Sequence, residues 1–305
     1  MEPLSTYWHK LLFCSPPPPC GIPTPMSGIA NLDNLLRLLD DDSEVVRKAV
    51  QEKLASMRPE LPFHLSKLER PLTVEEDRMV ARMLDPVRRN ELLDSWMRWR
   101  WLDSPAAQLE EGLAQISAFL AGWKVRAADL SPRLDALAEE AFRDGGKMDA
   151  RELAEWLFGK KGDPVRFRGN GKDYYAHQNS NLFWVLDTGL GNPISLCCLY
   201  RLIGHRHGIQ IEGCNFPGHF LARVVIDSRL YLVDCFNRGR FMLASDVARH
   251  HPAANPGMDE IIREPASTDA ILLRNLRNLE EAYDRASAMN DRQLMRKLAI
   301  RLMED

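Results

Sequence analysis

Two short apolar runs, separated by a predicted turn, constrain this chain more than any other feature. Pro217-Gly218-His219-Phe220-Leu221-Ala222-Arg223 leads to Ile226; Asp227-Ser228 follows; Leu230 to Cys235 then returns, and Asp234-Cys235-Phe236-Asn237 closes the run. The pattern predicts an antiparallel hairpin with strands over 219–226 and 230–235, although Asp227-Ser228 lacks the usual Gly. In a two-residue turn Ile226 pairs with Arg229, so Leu221 faces Asp234 and His219 lies diagonally from it on the same face. A three-residue loop would put them on opposite faces. A His opening one strand and an Asp closing the next are two members of a Cys-His-Asp site. The plainer reading is a satisfied core histidine and a turn-forming aspartate.

The third member would be a thiol at the start of a helix. Gly191-Asn192-Pro193 opens one, with Asn at the N-cap and Pro at the first helical position. Ile194 to Ile203 is apolar nearly all round, so this helix is expected to be buried. Its positive end lowers a thiol's pKa or holds an anion. Pro193 stands where the thiol belongs. Cys197 lies one turn below on about the same face and is the candidate displaced nucleophile. Cys198 points about 100° away and Ser195 about 200° from Pro193. Alternation puts Cys235 on the face opposite Asp234, and Cys214 precedes the His turn. For all four cysteines the plain role is small apolar packing.

At 305 residues the chain has room for two or three units. A net charge of -3 argues against a general nucleic-acid binder. Trp96, Trp99 and Trp101 alternate with Arg98 and Arg100, but Trp96 and Trp99 at i, i+3 are expected to face a core rather than stack bases. No segment approaches the ~20 apolar residues of a membrane span. The six cysteines make no metal pattern, and we read them as reduced thiols of a cytoplasmic protein that needs no metal or cofactor.

Residues 1–26, with the proline run Ser15 to Pro19, are expected to be a disordered leader, and Met26 is a second candidate start. A helical segment is predicted over 27–104. Leu32, Leu35, Leu36 and Leu39 form one stripe, Asp40 to Asp42 breaks it, and Ser43 caps a helix carrying Val46, Ala49, Val50 and Leu54. This resembles a HEAT repeat, and Met79 to Trp96 resembles a degenerate second copy. The main domain is predicted over 105–250, with a helical lead-in to about residue 160. A tail over 251–305 holds two helices, Ile271 to Tyr283 and Gln293 to Met303, resembling one tetratricopeptide unit.

Within 105–250, several motifs occur in order: Arg168-Gly169-Asn170, Tyr174-Tyr175, Asn179-Ser180, Val185-Leu186, Gly191 to Leu196, Phe216 to Arg223 and Asp234 to Asn237. Together they resemble the transglutaminase-like core of the SirB-type family of bacterial proteins, a relative of which sits in an F-box protein. The resemblance runs from about Leu109 to Met303. It implies an α+β fold, a papain/transglutaminase-like core with a helix packed on an antiparallel sheet, flanked by helical N- and C-terminal modules. It places His219 and Asp234 at the catalytic His and Asp, and Pro193 where active members have Cys. The family generally shares that gap. Cys235 departs from the family's usual Pro.

Two readings follow. One is a non-catalytic protein that binds a peptide or protein in the old cleft, with Asn179, Ser180, Asn192, Pro193, Ser195, Phe216 and Asn237 as binding residues. The other is a cysteine hydrolase or acyl transferase using Cys197 with His219 and Asp234. Asn179 and Ser180 are expected to line or brace the cleft, with Ser180 as a helix N-cap.

Overall fold

A computed structural model describes residues 32–58, 60–68, 70–160, 165–250 and 257–304. The predicted leader, with Cys14 and Cys20, lies outside them. The chain forms two compact units, residues 1–79 and 80–305.

In the first unit, Leu32, Leu36 and Leu39 are buried on a short helical stretch over 32–37 and the turn after it. The next helix, Glu44–Met57, buries Val50 and Leu54. Ser43 occupies its N-cap position, but its side chain makes no capping hydrogen bond. Its amide instead donates to Asp41 Oδ1 at 2.8 Å, which ties down the Asp-rich turn. The stretch read as a second repeat begins as one continuous helix, Val74–Ser95, with Pro86 inside it.

The second unit is α+β and mostly helical. Four antiparallel strands form its sheet in the order β3 (Glu212–Cys214), β4 (Leu221–Ile226), β5 (Arg229–Asp234) and β6 (Arg240–Leu243). Two short strands, β1 (Arg168–Gly169) and β2 (Leu190–Gly191), pair in parallel beside it in sequence order. The hairpin register is the one expected: Ile226 pairs with Arg229 and Ala222 with Val233. Asp227 and Ser228 take φ of 49° and 60°, the two left-handed positions of a type I′ turn. This turn's twist matches the strands, so it forms here without Gly.

The central helix, Pro193–Arg206, packs on β3 and β4. Eleven of its residues are buried, which fits its all-round apolar sequence. Alternation divides the sheet between two clusters. Phe220, Ala222, Val224 and Val233 join the central helix in the main core. Leu221 and Leu232 join Cys214, Ala244 and Ile262 on the other side.

The tail helices Thr268–Arg285 and Met289–Glu304 pack on each other and share the main core through Leu276, Leu279, Leu298 and Leu302. Trp96 and Trp99 are buried in that core, as expected, while Trp101 is exposed. Trp96 Nε1 donates to Leu298 O at 3.1 Å and Arg100 pairs with Asp269 at 2.6 Å, so these two members of the Arg-Trp run anchor the tail. Among the described residues no helix is long and apolar enough to cross a membrane, and no cluster of three or more His, Cys, Asp or Glu is placed to hold a metal.

Candidate functional site

His219 and Asp234 come together. Asp234 is the last residue of β5, and extending the hairpin register by one places Leu221 opposite it. His219 is not in a strand: it stands two residues before β4, after a turn in which Gly218 has φ of +75°. That turn returns the imidazole toward the strand end, and His219 Nε2 lies 2.8 Å from Asp234 Oδ1. Asn237 fixes the carboxylate from the other side. Its amide donates to Oδ1 at 3.1 Å and its Nδ2 to Oδ2 at 2.8 Å. Burial would raise the Asp234 pKa, but the hydrogen bonds from His219 and Asn237 outweigh it and hold the carboxyl below its usual range.

Phe236 stands edge-on to the His219 ring, with centroids 6.1 Å apart. Gly169 permits this. A Cβ there would meet the Phe236 ring at 2.6 Å, so the Arg168-Gly169-Asn170 strand passes under the ring only because it has no side chain at that point.

Asn179 and Ser180 are both buried. Asn179 Nδ2 donates to the carbonyls of Asp173 and Tyr174 at 2.7 and 3.0 Å, and its Oδ1 accepts from Asn170 Nδ2 at 2.9 Å. These bonds hold the loop that carries Tyr174 and Tyr175. Ser180 is not the cap of the helix Leu182–Thr188; Asn181 fills that role, accepting from Phe183 N at 3.0 Å. The Ser180 hydroxyl is one residue too early and accepts instead from Asn192 Nδ2 at 2.8 Å. Asn192 and Ser195 form a reciprocal capping box, with bonds of 2.9 and 3.0 Å, at the start of the central helix.

A pocket of about 250 Å³ opens in front of that helix start. Ser180, Asn192, Pro193 and Ile194 form one side, Tyr174 and Tyr175 another, and Arg274, Asn278 and Glu281 of the first tail helix a third. Gly218 and Phe220, the neighbours of His219, also line it. Of the residues expected to bind a partner, Ser180, Asn192 and Pro193 face the pocket. Asn179 and Ser195 hold lining residues through the bonds above, while Asn237 bonds to Asp234 and not to the lining of the pocket. Phe216 does not join it: its side chain packs with the cluster of Cys214, Leu221 and Leu232 on the other side of the sheet.

Sequence reasoning quoted Tyr174 and Tyr175 without giving them a role, and it missed Arg274, Asn278 and Glu281. An aromatic pair beside two buried asparagines was a usable signal. The tail residues lie more than 80 positions after Pro193, the start of the central helix, and carry no local one.

All four described cysteines are free and buried. Burial, reinforced by a hydrogen bond with Cys235, pushes the Cys197 thiol well up. Burial also raises Cys198, and it pushes Cys214 up to about 11. Cys197, the candidate nucleophile, thus sits in the core beside Cys235 rather than at the pocket.

Residues 128–277 match the profile of the transglutaminase-like superfamily. A UPF0162 protein of Xylella fastidiosa (strain Temecula1) is 38% identical over 186 residues, which cover 54% of this chain and 65% of that protein. Its counterpart in strain 9a5c is 37% identical over the same length. The chain therefore spans less than two thirds of the length of these relatives. F-box only protein 21 of Mus musculus is 32% identical over 108 residues, 32% of this chain and 17% of that protein. No solved structure gives a significant match.

Proposed function

We propose that this chain, which carries a transglutaminase-like superfamily domain, is a non-catalytic protein of the SirB type that binds a peptide, or an extended segment of a protein partner, in the pocket at Pro193. The carrying observation is the disposition of nucleophiles. Pro193 occupies the helix start that faces the pocket, while every described thiol is buried. The thiolate is the nucleophile, and burial in an apolar core disfavours it. What remains is a preorganised pocket with aromatic walls and hydrogen-bonding groups, suited to holding a chain. The HEAT-like segment and the tetratricopeptide-like tail act as packing modules of a cytoplasmic regulatory protein.

The intact pair of His219 and Asp234 favours a second reading, a cysteine hydrolase or acyl transferase in which Cys197 is exposed by a rearrangement of the helix start. Alkylation separates the two. Each cysteine is labelled in the folded protein between pH 6 and 9, in the native sequence and in His219→Ala. Uniformly slow labelling is expected. A thiol that reacts rapidly near neutral pH, and loses that reactivity with His219, would replace binding by catalysis.

A further inference from the structure

The chemistry of the same pocket goes further than its shape. Arg274 lines it half-buried, and its Nη1 donates to Asn215 Oδ1 at 2.9 Å. Among the described residues no carboxylate pairs with it. Burial lowers its pKa. An arginine stays protonated in such a site and presents up to five donors. Glu281, two turns along the same wall, is differently placed. Its Oε1 accepts from Nε and Nη2 of Arg285 at 3.2 and 2.8 Å, and the Arg285 guanidinium lies 3.7 Å over the Tyr175 ring. Its charge is already answered.

The opposite wall adds a donor. Pro193 has no N–H, and the amides of Ser195 and Leu196 both bond to Asn192. Ile194 lines the pocket, and its amide has no hydrogen-bond partner among the described residues.

We propose that this pocket recognises a carboxylate carried by a peptide, with Arg274 as its counter-ion. The proposal rests on the peptide-binding reading above and names the group that is bound. One guanidinium and one amide suit a monoanion. A phosphate dianion usually draws several cations, and Arg274 is the cation among the residues lining this pocket. Asn278 stands between Arg274 and Glu281 on the helix and offers a peptide group both a donor and an acceptor. The volume, about 250 Å³, is below that of pockets that enclose a drug-sized ligand, so it takes a residue or two of a chain.

The probe is an equimolar pool of N-acetylated pentapeptides with a randomised sequence, prepared as free acids and as C-terminal amides. The full chain is incubated with the pool, separated by size exclusion, and the retained peptides are weighed by mass spectrometry. Carboxylate-bearing peptides are expected to be enriched about tenfold or more over their neutral counterparts, the scale of a hydrogen bond to a charged group. Enrichment that follows the acid-over-amide ratio assigns the terminal carboxylate; enrichment that follows Asp and Glu over Asn and Gln assigns a side chain. Arg274→Gln should abolish the discrimination, and Arg274→Lys should keep part of it. Arg229→Gln, which changes an exposed charge outside the pocket, should leave it intact. Circular dichroism checks that each variant is folded. Equal retention of acids and amides, and of acidic and neutral sequences, would overturn the carboxylate proposal and leave peptide binding standing. Retention of no peptide would remove both.

Discussion

His219 Nε2 and Asp234 Oδ1 are 2.8 Å apart although 15 positions separate them in the chain. Their meeting depends on the Gly218 turn, which returns the imidazole, and on the two-residue turn at Asp227-Ser228, which sets the register that brings Leu221 opposite Asp234. The two turns, structural features, thus decide whether the site exists.

The depressed Asp234 pKa fixes the sign of a pH effect. A carboxyl whose folded pKa lies below its unfolded value of about 4 contributes stability that is fully present above that value. The contribution is lost as pH falls through the folded pKa. Asp234→Asn should therefore destabilise the protein by about 1–3 kcal/mol at pH 7, the range for losing hydrogen bonds to a charged group. The gap to the native protein should close as the pH is taken below about 4. Urea unfolding at pH 7 and at pH 3.5 measures it. A gap that does not change with pH would mean that the charge of Asp234 contributes nothing.

The turn itself can be tested. Asp227 and Ser228 have φ of 49° and 60°, where non-glycine residues are strained. Ser228→Gly relieves the strain but loosens the unfolded chain, for a net gain of about 0.5–1 kcal/mol. A higher unfolding midpoint with an unchanged denaturant slope is the expected result. A drop in stability would show that the turn conformation is not the one described.

Much of this was legible in the sequence for identifiable reasons. The hairpin was, because strand alternation and a two-residue spacing fix the register. The central helix was, because Asn192-Pro193 marks its start and its apolar residues run round all sides. The strand expected from His219 starts two residues later, at Leu221, because apolar neighbours such as Phe220 extend the strand pattern beyond the point where hydrogen bonding stops. The sequence offers Ser180 as a cap because it precedes an apolar run, but Asn181 is equally able to cap, is adjacent and fills the role. The place of Phe216 in a motif points to the cleft; only the tertiary fold shows that it turns to the other side of the sheet. The pocket wall on the tail helix was not legible, since nothing local in Arg274 or Asn278 marks what they face.

Asn192 joins the helix start to the cleft wall, and the two bonds should be coupled. Asn192→Ala removes a cap and the partner of Ser180, and should cost about 1–2 kcal/mol. Ser180→Ala leaves Asn192 Nδ2 buried without its acceptor, for about 1 kcal/mol. The double variant should cost less than the sum of the singles by roughly 0.5 kcal/mol or more, since the shared bond is lost only once. Chemical denaturation of the four proteins gives the cycle. Strict additivity would mean that the 2.8 Å contact carries no energy.

Pro193→Cys tests whether the helix start and the dyad face one another. Position 193 lines the pocket at the positive end of a 14-residue helix, and His219 lies between two other lining residues, Gly218 and Phe220. A thiol introduced there gains from the helix end and from a histidine already oriented by Asp234, both of which lower a thiol's pKa. It should react with iodoacetamide at pH 7 about tenfold or more faster than any native cysteine, since those are buried and three of them have raised pKa. Adding His219→Ala to Pro193→Cys should remove most of that advantage and shift the pH profile of labelling upward. Adding Asp234→Asn should do the same in part, because the imidazole loses its orienting partner. If labelling at position 193 is fast but indifferent to His219, only the helix end acts on the thiol. The dyad and the helix start would then be separate features, and the pocket would bind its ligand without any help from His219.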